Sequence, residues 1–337
     1  MTHEVVLIPG DGIGPEVAAA TRLVLDATGV DLGWEQRPAG ASALETDGAL
    51  LPEGTLEAVR RCRTAIKGPI TTPVGDGFRS VNVALRQGLD LFAAVRPARS
   101  LPGVPTRHHG VNLVVIRENT EDLYRGIEFA RGTPDATTLR RKLHDLGGFE
   151  IPGDAGITLK PISVSGARRI VRFAFEYVRA NRRRKVMDAA HYPDVVWEDV
   201  HIDTLSARLV RSPQDFDVLL LPNLYGDILS DLCAGLVGGL GLIPGANIGW
   251  EYAVFEPVHG SAPDIAGQGI ANPIAMVLSG SMMLRHLGEL RAADAVERAV
   301  DRVLGRAEIR TPDLGGQAST LEMGEALANE VLRGDAG

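Results

Sequence analysis

Asp227 and Asp231 stand four residues apart in the run Leu224-Tyr225-Gly226-Asp227-Ile228-Leu229-Ser230-Asp231. On a helix this spacing puts two carboxylates on one face, about one turn apart, where unpaired like charges repel. A hard divalent cation such as Mg²⁺ or Mn²⁺ would make the pair favourable, using carboxylate oxygens with water and substrate oxygens. A solvated helix face explains the spacing equally well. The neighbouring Leu229 and Leu232 and the tract Gly238-Gly239-Leu240-Gly241 favour a buried, metal-holding setting. Ser80, Asn82 and Arg86 gather near one candidate helix start, and Arg96 and Arg117 end apolar runs. Three guanidiniums suit bidentate pairing with a multiply charged carboxylate, although arginines are also common on ordinary surfaces. The small-residue loop His259-Gly260-Ser261-Ala262-Pro263-Asp264-Ile265-Ala266-Gly267, closed by Asn272, leads to a helix. Such a loop lets backbone N–H groups approach a phosphate or ribose, or it is simply an exposed connection. Gly10-Asp11-Gly12-Ile13-Gly14-Pro15-Glu16 departs from the dinucleotide fingerprint GxGxxG, and Pro15 removes the packing logic of the third glycine. A tight strand-to-helix turn is the better reading there.

These groups need elements to position them. Residues 5–8 read as a buried strand and 15–28 as an amphipathic helix. Short helices are expected over 55–61 and 82–89, with a strand over 62–67 between them. A strand over 111–117 runs into the polar cluster Arg117-Glu118-Asn119-Thr120-Glu121. Residues 147–159 are glycine-rich and weakly patterned, like an arm or ribbon. A strong helix follows at 165–180, then a strand (195–202), a helix (205–210), a strand (216–221), and helices over 224–236 and 273–287. Strands alternating with helices imply an α/β protein with a largely parallel sheet.

The 337-residue chain is long enough for two domains. Its net charge of −8 and pI near 5.5 argue against nucleic-acid or anionic-membrane partners. No apolar run reaches the roughly 18–20 residues of a membrane span. Cys62 and Cys233 lie in unrelated contexts, which suggests neither a disulfide framework nor a thiolate metal site. A reduced, cytoplasmic setting is expected, and the start of the chain shows no signal-peptide pattern.

Taken together, Ile8-Pro9-Gly10-Asp11-Gly12-Ile13-Gly14-Pro15-Glu16, Arg117-Glu118-Asn119-Thr120-Glu121, Asn223-Leu224-Tyr225-Gly226-Asp227 and His259-Gly260-Ser261-Ala262-Pro263-Asp264 resemble signatures of one family. It is the isocitrate/isopropylmalate dehydrogenase family of NAD-dependent β-decarboxylating enzymes, and the segments occur in family order. Arg310-Thr311-Pro312-Asp313-Leu314-Gly315-Gly316 resembles its C-terminal segment. The resemblance implies a two-domain α/β fold with parallel-rich sheets. Its discontinuous large domain would combine residues 1–96 with 253–337, and residues 97–252 would form the small domain. The 147–159 arm would help clasp a second subunit in a homodimer or higher oligomer.

By matching position, the resemblance implies that Lys67, Thr72, Ser80, Asn82, Arg86, Arg96 and Arg117 bind a small malate-type 2-hydroxy acid. Asp227 and Asp231, with Asp203 of a second subunit, would hold Mg²⁺ or Mn²⁺. Tyr124 would supply a proton to the enol carbon after CO₂ loss. His259, Gly260, Ser261, Ala262, Asp264, Ile265 and Asn272 would bind NAD. Asp264 followed by Ile265 is similar to the NAD-using branch, where the carboxylate accepts from the ribose 2′-hydroxyl and repels a 2′-phosphate. Lys67-Gly68-Pro69-Ile70-Thr71-Thr72-Pro73 and Ser80-x-Asn82 point to isocitrate, with isopropylmalate or homoisocitrate as alternatives.

One family segment is absent. Arg184-Lys185-Val186-Met187 passes directly into Asp188-Ala189-Ala190-His191-Tyr192-Pro193. The family has here a strand with a His-Lys-Ala-Asn stretch and then a helix, roughly 20 residues at ordinary element lengths. With them goes the lysine that acts as base on the 2-hydroxyl, and Asp203 is followed by Thr204 where asparagine is usual. The four lysines are Lys67, Lys142, Lys160 and Lys185; Lys185 is nearest in sequence but belongs to a basic run. Three readings follow: a dehydrogenase with another group or water as base, a non-catalytic paralogue such as a regulatory subunit, or a gap in the encoded sequence.

Overall fold

The computed structural model describes residues 2–71, 80–183, 186 and 196–334. Its strands are β1 (His3–Ile8), β2 (Leu32–Gln36), β3 (Thr64–Lys67), β4 (Ala93–Arg99), β5 (Asn112–Glu118), β6 (Ile127–Phe129), β7 (Ile157–Leu159), β8 (Val218–Leu221), β9 (Pro244–Ile248) and β10 (Ala253–Pro257). The helices are α1 (Gly14–Asp26), α2 (Ala41–Asp47), α3 (Glu53–Cys62), α4 (Val81–Gly88), α5 (Pro134–Gly147), α6 (Val164–Ala180), α7 (Ile202–Arg211), α8 (Asn223–Val237), α9 (Ile274–His286), α10 (Leu290–Arg306) and α11 (Thr320–Gly334).

Eight strands form one sheet in the order β2-β1-β3-β10-β9-β4-β5-β8. The flanks are parallel, through β1–β2, β1–β3, β10–β3 and β5–β8. The centre, β10–β9–β4–β5, is antiparallel. The expected α/β class and parallel-rich sheet are present. A continuous sheet with an antiparallel middle was not anticipated, because β9 and β10 carry no hairpin signature strong enough to announce their pairing.

Burial follows residue type. α9 is enclosed along nearly its whole length, as its apolar run demands. Its Ser279 bonds back to the Ala275 carbonyl at 2.8 Å and Ser281 bonds Glu297 at 2.8 Å, so no buried hydroxyl is orphaned there. α6 starts at a Ser163 cap, whose hydroxyl accepts from the Gly166 N–H at 2.9 Å, and buries Ile170, Ala174, Phe175 and Val178. The glycine turn is structural, as expected. A Cβ on Gly10 would collide with the Pro69 carbonyl and one on Gly12 with the Ser261 carbonyl. Asp11 accepts from the N–H groups of Ala41, Ser42 and Thr71, tying the start of α2 and the segment after β3 to the turn.

Two expectations are corrected. The strand over 195–202 does not form among the described residues: 197–200 are irregular and Ile202 already begins α7. Val196 and Trp197 are 65% and 48% exposed, so pairing there would bury little side-chain area. Val186 takes the place beside β8 instead, in an isolated parallel bridge to Val218, and its N–H donates to the Val196 carbonyl at 2.8 Å. The 147–159 arm does end in a ribbon, β6 with β7, but is preceded by helix α5, which was not expected. α5 buries only Ala136, so it lacks the apolar face that announces a helix. Leu146 and Phe149 beside it stand 81% and 61% exposed.

Candidate active-site cleft

The strand register aims two of the arginines. Arg96 of β4 lies opposite Val115 and Arg117 of β5 opposite Ala94, so the guanidiniums leave the same sheet face from diagonal positions. α8 lies across that face and lowers Asp227 onto both. Arg117 pairs with Asp227 through its Nη1 and gives Nε and Nη2 to the Asn223 Oδ1 at 2.9 and 2.6 Å. Arg96 reaches Asp227 at 3.4 Å and the Ser230 hydroxyl at 2.6 Å. Asp231, one turn on, is 3.8 Å from Arg96. The Tyr124 hydroxyl donates to Asp227 Oδ2 at 2.6 Å, and the Arg117 guanidinium lies 5.1 Å from the Tyr124 ring centre.

Lys67, the last residue of β3, and Arg86 of α4 line the same cleft. Both pair with Glu256 of β10, Arg86 at 3.1 Å. Lys67, Ser80, Asn82, Arg86, Arg96, Arg117, Tyr124, Asp227, His259 and Gly260 share the lining of one cavity of about 250 Å³, so ten expected positions meet in space. Ile70, Val83 and Val258 add apolar wall. Four cations face two carboxylates, Asp227 and Glu256, leaving an excess of two positive charges. Among the described residues, two buried atoms on this wall have no partner: Asn82 Oδ1 and His259 Nε2. Such atoms are satisfied by a ligand or water.

Electrostatics follow from crowding. Burial, then the nearby Arg96 and Arg86, pull the Arg117 guanidinium down to about 9 against the pull of Asp227, and it remains a cation at neutral pH. Burial works against the Asp227 carboxylate, but Arg117, the Tyr124 hydrogen bond and Arg96 outweigh it and hold its pKa below the usual range. Asp231 moves the other way, raised by burial and by the like charge of Asp227. Tyr124 is raised by burial and by its bond to Asp227, which keeps the phenol protonated. Burial lowers His259, so its imidazole is neutral at pH 7.

Asp227 and Asp231 offer hard oxygen donors on one face of α8, a set that suits Mg²⁺ or Mn²⁺. Among the described residues no group of three His, Cys, Asp or Glu side chains converges to hold a metal. Asp203 is exposed in the first turn of α7, where its carboxylate accepts from the Thr204 N–H at 2.6 Å. In the loop after β10, the Ser261 hydroxyl accepts from Thr71 at 2.6 Å and its carbonyl from the Ile13 N–H at 2.9 Å. Ala262 takes φ of +39°, Asp264 is exposed, and Ile265 packs on the core. Asn272 is locked, giving its amide N–H to Asp313 at 2.9 Å and accepting from the Ile274 N–H at 3.0 Å. Thr72 and Lys185 lie outside the described residues. Glu256 was missed by sequence reasoning; the available signal was a lone carboxylate in the apolar run Ala253-Val254-Phe255-Glu256-Pro257, which demands a buried cation.

The fold and cleft thus define an α/β protein with a cationic, carboxylate-bearing pocket between two parallel flanks. The isocitrate/isopropylmalate dehydrogenase family model matches residues 4–190 and 183–327, and the chain belongs to that family. It is similar to the Arabidopsis thaliana protein named isocitrate dehydrogenase [NAD] catalytic subunit 5, mitochondrial, with 41% identity over 349 residues, covering 96% of this chain and 87% of that one. It is also similar to Thermus thermophilus isocitrate dehydrogenase [NADP], with 42% identity, 97% of this chain and 67% of that one. The crystal structure of isocitrate dehydrogenase from Methylococcus capsulatus matches with a TM-score of 0.89 and 45% identity, over 98% of this chain and 99% of that one. Among the described residues no helix is long and apolar enough to cross a membrane.

Proposed function

We propose that this chain binds isocitrate with Mg²⁺ or Mn²⁺ and NAD, and carries out NAD-dependent oxidative decarboxylation at a rate limited by its missing base. The observation that carries the reading is the cleft itself: among the described residues four cations face the carboxylates of Asp227 and Glu256, with Asp231 one turn beyond Asp227 and Tyr124 on the wall. Arg96, Arg117 and Arg86 hold the carboxylates of a malate-type core. Ser80 and Asn82 receive the third carboxylate, the Asn82 amide, whose buried Oδ1 has no partner among the described residues, turning to suit it. Asp203 of a second subunit completes the cation site with Asp227 and Asp231. The bound cation acts as Lewis acid on the hydroxyl and carboxylate oxygens, and NAD as hydride acceptor. Tyr124, protonated at neutral pH, delivers a proton to the enol carbon after CO₂ leaves. Asp264 faces the adenosine ribose and disfavours the 2′-phosphate of NADP.

The large domain in this proposal is 1–96 with 253–337 and the small domain 97–252. The chain acts as a homodimer or larger oligomer in a reduced, cytoplasmic setting. The two family-model matches overlap at residues 183–190, and in this reading the lysine segment is missing at that point. The alignment to the Arabidopsis relative runs to 349 positions against a chain of 337, which is compatible with such a gap. No described lysine replaces the lost one. Lys67 is paired with Glu256, Lys160 lies 3.5 Å from Asp122, and Lys142 is exposed on α5. This absence supports a second reading, a paralogue that binds the same ligands with little turnover. NADH formation with Mn²⁺, NAD and a panel of isocitrate, isopropylmalate and homoisocitrate, beside calorimetric binding of each, tests both. Isocitrate binding with slow turnover is expected; tighter binding of isopropylmalate would move the substrate assignment.

A further inference from the structure

Glu256 sits at 7% exposure with both oxygens engaged. Lys67 bonds Oε2, while Oε1 accepts from Arg86 at 3.1 Å and from the Asn247 amide at 2.6 Å. Asn247 on β9 is itself fixed, its Oδ1 accepting from Asn119 at 2.8 Å, and Asn119 also bonds the Leu91 carbonyl at 3.2 Å. The carboxylate is therefore held from behind by an amide chain running through the antiparallel centre of the sheet. Two cations from separate elements, β3 and α4, meet on its front. Lys67 gives a further hydrogen bond to the Gly68 carbonyl at 3.3 Å, so among the described residues one of its three ammonium N–H groups is uncommitted, and the residue lines the cavity. Arg86 likewise commits only part of its five donors among the described residues and lines the same cavity. Burial alone would protonate Glu256, but Lys67 and Arg86 overcome that and hold it ionised far below the usual carboxylate range.

We propose that Glu256 is a positioning residue of the cleft: one buried carboxylate, anchored through Asn247, holds Lys67 and Arg86 as a preassembled cation pair for a carboxylate group of the substrate. This inference rests on the reading of the cleft as a polycarboxylate site. Charge counting without positioning gives the opposite sign. If Glu256 acted only by its charge, Glu256→Gln would make the cleft more positive and tighten an anionic ligand. Loss of a carboxylate that organises two donors instead weakens it, because unheld side chains must be ordered on binding.

The experiment is calorimetric binding of isocitrate with Mn²⁺ to the full-length wild type, Glu256→Gln, Glu256→Asp, Lys67→Met and the double variant Lys67→Met/Glu256→Gln. NADH binding, followed by fluorescence, runs alongside. Misplacing one or two charge-assisted contacts predicts isocitrate affinity reduced about 10- to 100-fold in Glu256→Gln, with NADH affinity within about 3-fold of wild type. The double variant should bind no worse than the worse single variant, since both substitutions disrupt one unit. Tighter or unchanged isocitrate binding in Glu256→Gln overturns the proposal. So do strictly additive effects, or an equal loss of NADH and isocitrate binding, which would mark a general disturbance of β10. If Glu256→Gln does not fold, Glu256→Asp keeps the charge but shortens the reach, and wild-type affinity in that variant overturns the proposal. A wild type that binds no isocitrate overturns the cleft reading, and this inference with it.

Discussion

Replacing Asp227 with asparagine removes a charge that the metal-free chain already uses. Asp227 is the counter-ion of Arg117, lies 3.4 Å from Arg96, and accepts the Tyr124 hydroxyl at 2.6 Å. Asparagine keeps one acceptor, but Arg117, 2% exposed at its side chain, then faces only neutral amide oxygens, that of Asn223 and that of the new side chain. Removing one partner from a fully buried ion pair costs about 3–5 kcal/mol. The Asp227 side chain is 32% exposed, so solvent screens part of that. About 1–3 kcal/mol of destabilisation is the expected result at pH 7. The pH dependence has a definite sign. The folded pKa of Asp227 is depressed, so its contribution is fully present above its unfolded value near ~4 and is lost as pH falls through the folded value. Urea unfolding of wild type and Asp227→Asn without metal should show a constant gap from pH 7 to 5, narrowing below about 4. Mn²⁺ titration on the same samples should show binding to wild type and a loss of at least about tenfold in the variant. Equal unfolding free energies at pH 7 would refute the electrostatic argument, and equal Mn²⁺ binding the metal assignment.

Three further outcomes follow from the proposed coenzyme loop and the proposed loss of a lysine-bearing segment. Equilibrium binding should favour NAD over NADP, since a like-charge contact costs several kcal/mol, and Asp264→Ser should narrow the gap; equal affinities in wild type would show that Asp264 does not face the ribose. General-base assistance is worth about 10²- to 10⁴-fold, so inserting a relative's strand–helix segment between Val186 and Asp188 should raise hydride transfer by a factor in that range. The parent chain should decarboxylate oxalosuccinate, or a related β-keto acid, less badly than it oxidises isocitrate. A parent rate of isocitrate oxidation equal to that of lysine-bearing relatives would place the base on a residue not identified here.

About half of the elements were legible because they carry local periodicity. α1, α3, α4, α6, α7, α8 and α9, and β1, β3, β5 and β8, all fall within a few residues of their expected spans. The Asp227/Asp231 pair was legible for the same reason, since i and i+4 share a helix face wherever the helix goes. Arg86, Arg96, Arg117 and Lys67 were brought together by the family resemblance, whereas periodicity and spacing only singled them out as residue types. Arg117 is 110 residues from Asp227 and Arg86 170 from Glu256, and such contacts exist only once the sheet has closed. The expected strand over 195–202 failed because a strand is stabilised by a partner as well as by its residues. At the edge beyond β8 that place was taken by Val186. Sequence by itself determined the helix faces, the turn at Gly10 and Gly12, and which side chains could bind anions or a cation. Tertiary structure alone decided that Glu256 lies between two of the cleft's cations, Lys67 and Arg86, because a buried charge is tolerable only where the fold supplies its counter-charges.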